Sequence, residues 1–205
     1  MNLLSKAMLG GMFAVCIATS AQAAAIIASP TGLASPASTI TFDEIALVQN
    51  SVVTNEYAGL GVSFSPSAYY SPQTGFGNVQ GNDIGNFTFN GDPSVFGPVT
   101  LSFTALQSDV AFAMASNGTQ YIFQALLGGG VVDSFQSVVD QAGTFYGFTG
   151  VNFDSITITN LSSDAWLIDN IQLSNAEVPE PATLALFGAG LAGLVARRRK
   201  KSVKA

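Results

Sequence analysis

The stretch VTLSFTALQSDVAFAMA, residues 99–115, decides the fold class of this chain. In its first part Val99, Leu101 and Phe103 alternate with threonine and serine, which is the period-two pattern of a half-buried β-strand. From Val110 onward, large apolar residues alternate with alanines, as expected for a strand that is covered on both faces. The stretch therefore predicts strands packed in layers.

The same alternation recurs along the chain and predicts about ten short strands in all. Ile156 and Ile158 alternate with serine and threonine, and Asn117-Gly118 between two apolar runs is a strong hairpin signal. Further strands are predicted at Thr39–Phe42, Gly61–Phe64, Asn86–Asn90, Gln120–Leu127, Val131–Val139, Gly143–Phe148 and Trp166–Leu173. We expect an all-β domain, an antiparallel β-sandwich with a jelly-roll-like topology.

The beginning of the chain has the three parts of a secretory signal peptide. A lysine near the start is followed by an apolar run and then by the small-x-small triplet Ala21-Gln22-Ala23. We expect an N-terminal signal helix, cut after Ala23 by signal peptidase. Cys16 is the only cysteine and leaves with the signal, so the exported domain has no disulfide.

A second targeting segment, near the other end, combines a proline motif, an apolar stretch and a basic cluster. Its motif residues are Val178, Pro179, Glu180, Pro181, Arg197, Arg198 and Arg199. The uncharged stretch 182–196 between them is 15 residues long, short of the roughly 20 residues of a permanent span. We predict a short transmembrane sorting helix that uses the inner membrane transiently, with its basic end on the cytoplasmic side.

These residues resemble the PEP-CTERM sorting signal of Gram-negative bacteria that make exopolysaccharide, a segment also labelled as an ice-binding protein C-terminal domain. The resemblance implies recognition by an exosortase, a membrane-embedded cysteine peptidase, and cleavage near the Pro-Glu-Pro motif. It further implies export through the inner membrane, followed by release or attachment at the cell surface or in the extracellular matrix.

The predicted organisation has six segments in chain order. They are a signal peptide (1–23), a flexible leader (24–37), the β-sandwich domain (38–174), a linker with the Pro-Glu-Pro motif (175–181), the sorting helix (182–196) and a basic cytoplasmic tail (197–205).

The distribution of charge excludes most kinds of chemistry. All 13 acidic residues lie between Lys6 and Arg197, and no Lys, Arg or His lies between those two positions. Nucleic acid is therefore excluded as a partner, because phosphates need basic side chains. A Ser-His-Asp unit, a His/Cys zinc site and a Schiff-base lysine are excluded as well. A glycoside hydrolase with two carboxylates is the enzyme class that survives, but we expect a protein that is not an enzyme.

The longest irregular stretch, Ser65–Asn82, is the candidate ligand-binding loop. It holds Tyr69, Tyr70 and Phe76 among serine, proline, glycine and amide residues. Loops of this length inside a compact domain tend to be functional or disordered. Exposed aromatic rings suit stacking on sugars, which makes extracellular polysaccharide the candidate ligand. The alternative is that the tyrosines pack against the edge of the sandwich.

Two acidic residues fall on predicted inward faces. Asp169 alternates with Leu167 and Ile171 in the last strand, and Glu44 continues the inward face of Phe42. A buried carboxylate without a partner is strongly disfavoured, and this domain offers no cationic side chain. The remaining partners are backbone N–H groups, hydroxyl groups, a proton held by a raised pKa, or a bound cation.

The segments Phe42-Asp43-Glu44 and Ile168-Asp169-Asn170-Ile171 also resemble the first and last strands of jelly-roll carbohydrate-binding modules. The resemblance implies that the two strands are neighbours and that oxygen ligands from both hold a structural Ca²⁺. On this basis Asp43, Glu44 and Asp169 are the candidate metal ligands, with Asn170 as an extra one. Oxygen ligands without His or Cys favour Ca²⁺ over Zn²⁺. The alternative is a carboxylate satisfied by backbone amides.

The sequence thus predicts an exported, exosortase-processed surface or matrix protein. Its β-sandwich is expected to be non-catalytic, associated with exopolysaccharide or biofilm, and carbohydrate-binding. The alternatives are a two-carboxylate glycoside hydrolase and an ice or surface adhesion protein.

Overall fold

A computed structural model describes residues 24–66, 68–88 and 97–175 of the chain. In these ranges the protein is all-β, with a 12-stranded antiparallel sheet and one turn of 3-10 helix at Ala58–Leu60. The strands are β1 (Ala24–Ser29), β2 (Ser38–Ile40), β3 (Val52–Val53), β4 (Val62–Ser65), β5 (Ala68–Ser71), β6 (Asp83–Gly85), β7 (Val99–Ser116), β8 (Thr119–Leu127), β9 (Gly130–Val139), β10 (Thr144–Thr149), β11 (Phe153–Asn160) and β12 (Trp166–Asn175). The predicted signal helix, sorting helix and basic tail lie outside the described residues.

Strand β7 organises the sheet because it takes part in two sections of it. Its first half pairs with β4 and β11, and its second half pairs with β10 and β12. The sequence suggested two separate strands here, whereas the structure has one strand of 18 residues. The halves meet near Gln107, which pairs with both Phe153 and Asn175. Register shifts in β11 and β12 at this point let β7 pass from one section into the other.

The main core takes side chains from both sections of the sheet. Leu101 and Phe103 from the first half of β7 belong to the same buried cluster as Val110, Phe112 and Met114 from the second half. Consecutive side chains of a strand point to opposite faces, so the odd-numbered and even-numbered sets would lie on opposite faces of a regular strand. The irregular pairing near Gln107 shifts the alternation, and both sets therefore point toward one core. The two sections therefore enclose a common core.

The opposite face of the second half of β7 is also covered. Ala111, Ala113 and Ala115 are buried in a second cluster together with Val79 and Phe145. The prediction that both faces of this strand are buried is confirmed. Half-buried side chains packed against this second cluster are Ile26, Leu33, Phe76 and Phe87. The small alanine side chains let the loop before β6 lie close against the sheet.

The segment predicted as a flexible leader is partly ordered. Residues 24–29 form β1, which pairs antiparallel with β10 and places Ala25 opposite Phe148. The prediction of a flexible leader is wrong for this part, because the backbone groups of 24–29 are satisfied by a strand more than a hundred residues away in sequence.

The strand predicted at Asn86–Asn90 is also placed differently. The structure has β6 at Asp83–Gly85 instead, and residues 86–88 are irregular. The Asn86 side chain explains the early end of the strand. Its Nδ2 donates to the carbonyl of Asp164 (2.9 Å), and its Oδ1 accepts from the Trp166 N–H (2.8 Å). These side-chain bonds, with a long bond from the Asn86 N–H to the Trp166 carbonyl (3.4 Å), take the place of a further regular ladder pair.

A bulge in β12 changes which residues share a face. Asn170 and Ile171 together oppose the single residue Phe112 of β7, and Asn170 has a φ of 49°. Leu167 before the bulge belongs to the second cluster, whereas Ile171 after it belongs to the main core. The predicted common inward face of Leu167, Asp169 and Ile171 is therefore wrong, because the extra residue shifts the alternation by one.

The prediction that the first and last strands of the 38–174 domain are neighbours is confirmed. β2 pairs with β12 and places Ile40 opposite Ile171. On the same side of β12, β6 places Ile84 opposite Ile168. The bulge lies between these two pairings, so Asp169 lies in a gap between the end of β6 and the end of β2.

Candidate functional site

Asp169 in this gap is the buried carboxylate that the sequence analysis singled out, with an exposed fraction of 1%. Its Oδ2 accepts a hydrogen bond from the Gln80 N–H (3.0 Å), and its Oδ1 accepts one from the Asn170 N–H (2.6 Å). Burial raises the pKa of Asp169 to about 7, and the charges of Asp43 and Glu44 add to the rise, while the two amides oppose it. Backbone amides and a raised pKa thus accommodate this carboxylate in the structure.

Asp83 at the start of β6 is a second buried carboxylate, which the sequence analysis missed. It is fully buried, and its Oδ2 accepts from the Gln73 N–H (2.9 Å). Burial raises its pKa to about 8, and the negative charge of Asp169 adds to the rise. Ser71 lies opposite Asp83 in the ladder, and its hydroxyl favours the ionised form. Within the described chain, neither Ser71 Oγ nor Asp83 Oδ1 makes a hydrogen bond of ordinary geometry.

The sequence around Asp83 explains the omission. Gly81-Asn82-Asp83 is typical of a turn, in which aspartate caps the local backbone and stays exposed. Its burial depends on the loop that folds over it, which local composition does not reveal. The apolar Ile84 directly after it was the available signal of a strand start.

Three carboxylates hold the covering loop, which we define as residues 72–82. Asp83 accepts from the backbone near the start of the loop, and Asp169 accepts from the backbone near its end. Asp43 accepts from the side-chain amide of Asn82. The covering loop is thereby fixed at both ends, with Phe76 and Val79 against the second cluster.

The middle of the covering loop is held by the turn before β10. The Asn78 N–H and its side-chain Nδ2 both donate to the Gly143 carbonyl, at 3.1 and 3.0 Å. Gly143 has a φ of 63°, and a Cβ there would lie 1.5 Å from the Phe76 carbonyl oxygen. This contact therefore requires glycine, both for its backbone conformation and for the close approach.

The structure does not bring the predicted metal ligands together. Asp43 and Glu44 are exposed, and Glu44 Oε1 accepts from the Thr41 N–H (2.8 Å) and hydroxyl (3.1 Å). Phe42 has a φ of 61°, which turns the chain outward after β2, so the predicted inward position of Glu44 is wrong. Throughout the described ranges, no three His, Cys, Asp or Glu side chains are grouped closely enough to hold a metal ion.

Two of the three predicted ligand-binding aromatics are buried. Tyr69 and Tyr70 form part of β5 and are 8% and 4% exposed. The Tyr70 hydroxyl donates to the Phe42 carbonyl (3.3 Å), as does the Tyr57 hydroxyl (3.1 Å). The tyrosines follow the packing alternative, and neither ring face is available for stacking on a sugar.

Phe76, the third predicted aromatic, lines a cavity of about 190 Å³ on the outer face of the sheet. Phe87 lies on the same cavity, and both phenylalanines are half-buried. Ala115 and Leu167, which belong to the second cluster, line its apolar part. Trp166 belongs to the main core, so its ring is on the other face of the sheet.

Amide side chains form the polar side of the cavity. Gln141 Nε2 donates to Asn117 Oδ1 (3.0 Å), and Asn117 Nδ2 donates to Asp164 Oδ1 (2.9 Å). Both amide residues are exposed at the opening. Phenyl rings beside fixed amide groups can accept an uncharged ligand that has an apolar face and hydroxyl groups. Phe87 had no signal in the sequence, because its place depends on the end of β6 at Gly85.

The fold and the charges together define the class of this protein. It is an acidic all-β domain, and residues 24–175 carry no cationic side chain. Residues 177–200 match the family model of the PEP-CTERM protein-sorting motif, and this chain therefore carries that sorting signal. The match covers every motif residue from Val178 to Arg199 and confirms the prediction. A comparison with curated proteins found no match.

The sorting motif indicates exosortase-dependent export and surface association, with exosortase as the processing partner. In the described part of the chain, no helix is long and apolar enough to span a membrane. The predicted transmembrane helix 182–196 lies outside the described residues.

Proposed function

We propose that the domain is a non-catalytic, jelly-roll-like β-sandwich that binds neutral polysaccharide in the extracellular matrix after exosortase processing. The observation that carries the proposal is the cavity between Phe76 and Phe87, with its amide side chains at the opening. Exosortase-dependent export and surface association support the proposal, because they would bring such a site to the outside of the cell, where it could meet polysaccharide.

The charge of the domain supports a neutral ligand. No cationic side chain occurs in residues 24–175, so uronate, sulfate or phosphate groups on a glycan would meet only negative charges. Asp164 lies beside the cavity opening and accepts a hydrogen bond from the Asn117 side chain. A sugar with hydroxyl groups alone avoids this repulsion and can exchange hydrogen bonds with the Asn117 and Gln141 amides.

Burial of the acidic pair supports a non-catalytic role. A glycoside hydrolase needs two carboxyl groups that both reach the scissile bond. Asp83 and Asp169 are the pair with raised pKa values, but they are 0% and 1% exposed and accept hydrogen bonds from the covering loop. Their position favours a structural role in holding that loop.

Affinity electrophoresis or calorimetry of the processed protein with dextran, a neutral glucan, tests the proposal. Alginate, an acidic polysaccharide, serves as the contrast and should bind at least tenfold more weakly. Phe87→Ala and Gln141→Ala should each weaken dextran binding several-fold. The first variant removes one aromatic wall of the cavity, and the second removes one polar contact. Gln120→Ala is the matched control, because Gln120 is also an exposed amide with one side-chain bond, 3.2 Å to Gln136.

The result that would overturn the proposal is dextran binding that is unchanged in Phe87→Ala, or absent altogether for a panel of neutral glucans, mannans and galactans. Emission from the only tryptophan, Trp166, is the control for folding, since its ring is buried in the main core. Release of reducing ends during the assay would show that the domain is an enzyme.

A further inference from the structure

Strand β9 ends the sheet, and within the described ranges no strand pairs with its outer edge, where the Ser134 N–H donates to Asp133 Oδ1 (2.8 Å) and the Val138 carbonyl accepts from the Tyr146 hydroxyl (3.2 Å). Among the described residues its only ladder partner is β8. The strand has ten residues, and Val131, Val132 and Val138 are 52%, 41% and 57% exposed. Edge strands are normally protected by lysine, proline or shortness. β9 has neither residue, and it carries a single charge, Asp133.

The sequence of this edge is nearly symmetric about its centre. Residues 131–139 read VVDSFQSVV, with Phe135 in the middle. In a two-fold interface, residue i meets residue j and j meets i, so a strand that pairs with its own copy must be compatible with its reverse. Centring on Phe135 pairs Asp133 with Ser137, Ser134 with Gln136, and Phe135 with its counterpart, and the same symmetry relates the two flanking Val-Val dipeptides. The two Asp133 carboxylates are then not opposite one another.

The faces of the strand agree with the same register. Phe135 is half-buried, and its ring stacks on Phe123 with centroids 4.7 Å apart and lies 5.1 Å from Phe148. A two-fold axis perpendicular to the sheet keeps each face continuous, so the two Phe135 rings would lie side by side and extend this aromatic row.

The ladder is regular where the pairing would be centred. β9 pairs with β8 without a shift from Asp133 to Val139, and the bulge lies at Val132. The central part of the edge, residues 133–137, therefore has the regular register that another strand needs, while the bulge confines pairing to this part.

We propose that β9 pairs antiparallel with β9 of a second copy of this chain, so that one sheet continues across a two-fold axis centred on Phe135. This inference is independent of the sugar-binding proposal and goes beyond it. The dimer would present two ligand cavities, and two linked weak sites hold a repeating polymer much more strongly than one.

Two double variants test the proposed register through charge. Ser134 and Gln136 are exposed and would face each other across the axis, twice per dimer. S134K/Q136K places like charges opposite and should raise the dimer dissociation constant roughly 2- to 30-fold at low salt. S134K/Q136E places opposite charges there and should lower it by a similar factor. Both doubles alter the same two exposed positions, so each is the control for the other.

Sedimentation of the processed protein from about 1 to 100 μM would measure the dissociation constant, with Trp166 emission to confirm folding of each variant. The difference between the doubles should shrink at about 1 M salt, where the Debye length is near 3 Å. A natural protein that stays monomeric over this range would overturn the proposal. Two doubles that shift the constant in the same direction would exclude this register.

Discussion

Replacing Asp83 by asparagine is expected to stabilise the domain at neutral and alkaline pH. The carboxyl group is fully buried, and burial together with the charge of Asp169 raises its pKa from 3.8 to about 8. The folded state therefore keeps a proton that the unfolded chain releases between about pH 4 and pH 8. Because the folded state binds more protons in this window, stability falls as the pH rises through it and levels off above about pH 8. Asparagine keeps an acceptor for the Gln73 N–H and carries no charge.

The size of the effect follows from the shift. One pKa unit corresponds to about 1.4 kcal/mol, so the rise of the Asp83 pKa from 3.8 to about 8 sets an upper bound near 6 kcal/mol. Relaxation and entry of water around the ionised group reduce this value, and about 3 kcal/mol is a realistic expectation. For a domain of this size that corresponds to a melting temperature roughly 10 °C lower at pH 8 than at pH 5. Asp169, whose pKa is raised to about 7, contributes in the same direction.

Thermal and urea unfolding between pH 5 and pH 9 would measure this dependence. The stability advantage of Asp83→Asn over the natural protein should be small at pH 5 and largest at pH 8 and above. Asp140→Asn is the matched control, because Asp140 is exposed and accepts one backbone hydrogen bond, from the Ala142 N–H (2.9 Å). A variant that is equally destabilised at every pH would refute the reasoning, since Asp83 would then act only as a hydrogen-bond acceptor.

Three other predictions concern the covering loop, the metal and the sorting signal. Gly143→Ala should lower the free energy of unfolding, measured in urea, by several kcal/mol. Gly128→Ala is the control and should lower it by only about 1 kcal/mol, because Gly128 has a φ of 57° but nothing lies within 4 Å of an added Cβ. Equal losses in the two variants would argue against the close contact with Phe76. Exchanging 1 mM EDTA for 1 mM Ca²⁺ should change the melting temperature by less than about 1 °C, because no three ligands are grouped in the described chain; a rise of several degrees would restore the predicted calcium site. Replacing Pro179, Glu180 and Pro181 by alanine should leave an unprocessed, membrane-bound form, visible as slower migration on immunoblots; normal processing would separate this motif from exosortase recognition.

The parts of the fold that depend on local pattern could be predicted from the sequence. β4, β8, β9 and β10 begin and end within one residue of the predicted strands. Asn117-Gly118 does join β7 to β8, and Gly118 has the positive φ, 82°, that the turn needs. Period-two alternation and turn chemistry act over a few residues, so the sequence displays them directly.

The parts that depend on distant residues could not be predicted. β1 exists because β10 offers it a partner, and nothing in residues 24–29 indicates that partner. The bulge at Asn170 adds one residue to β12, and this single insertion reverses the faces of everything after it. The alternation in β12 therefore predicts that Asp169 is buried but does not predict the face of the strand on which it lies.

The absence of cations explains why the site took a form that the sequence did not suggest. In most domains a buried aspartate is paired with arginine or lysine, and here residues 24–175 contain neither. Asp83 and Asp169 instead accept backbone N–H groups from the two ends of the covering loop and retain a proton more readily. The same loop carries Phe76 to the cavity, so the carboxylates position one wall of the proposed sugar site. Ionising the pair at high pH should therefore loosen the covering loop and weaken sugar binding, and Asp83→Asn should reduce this loss.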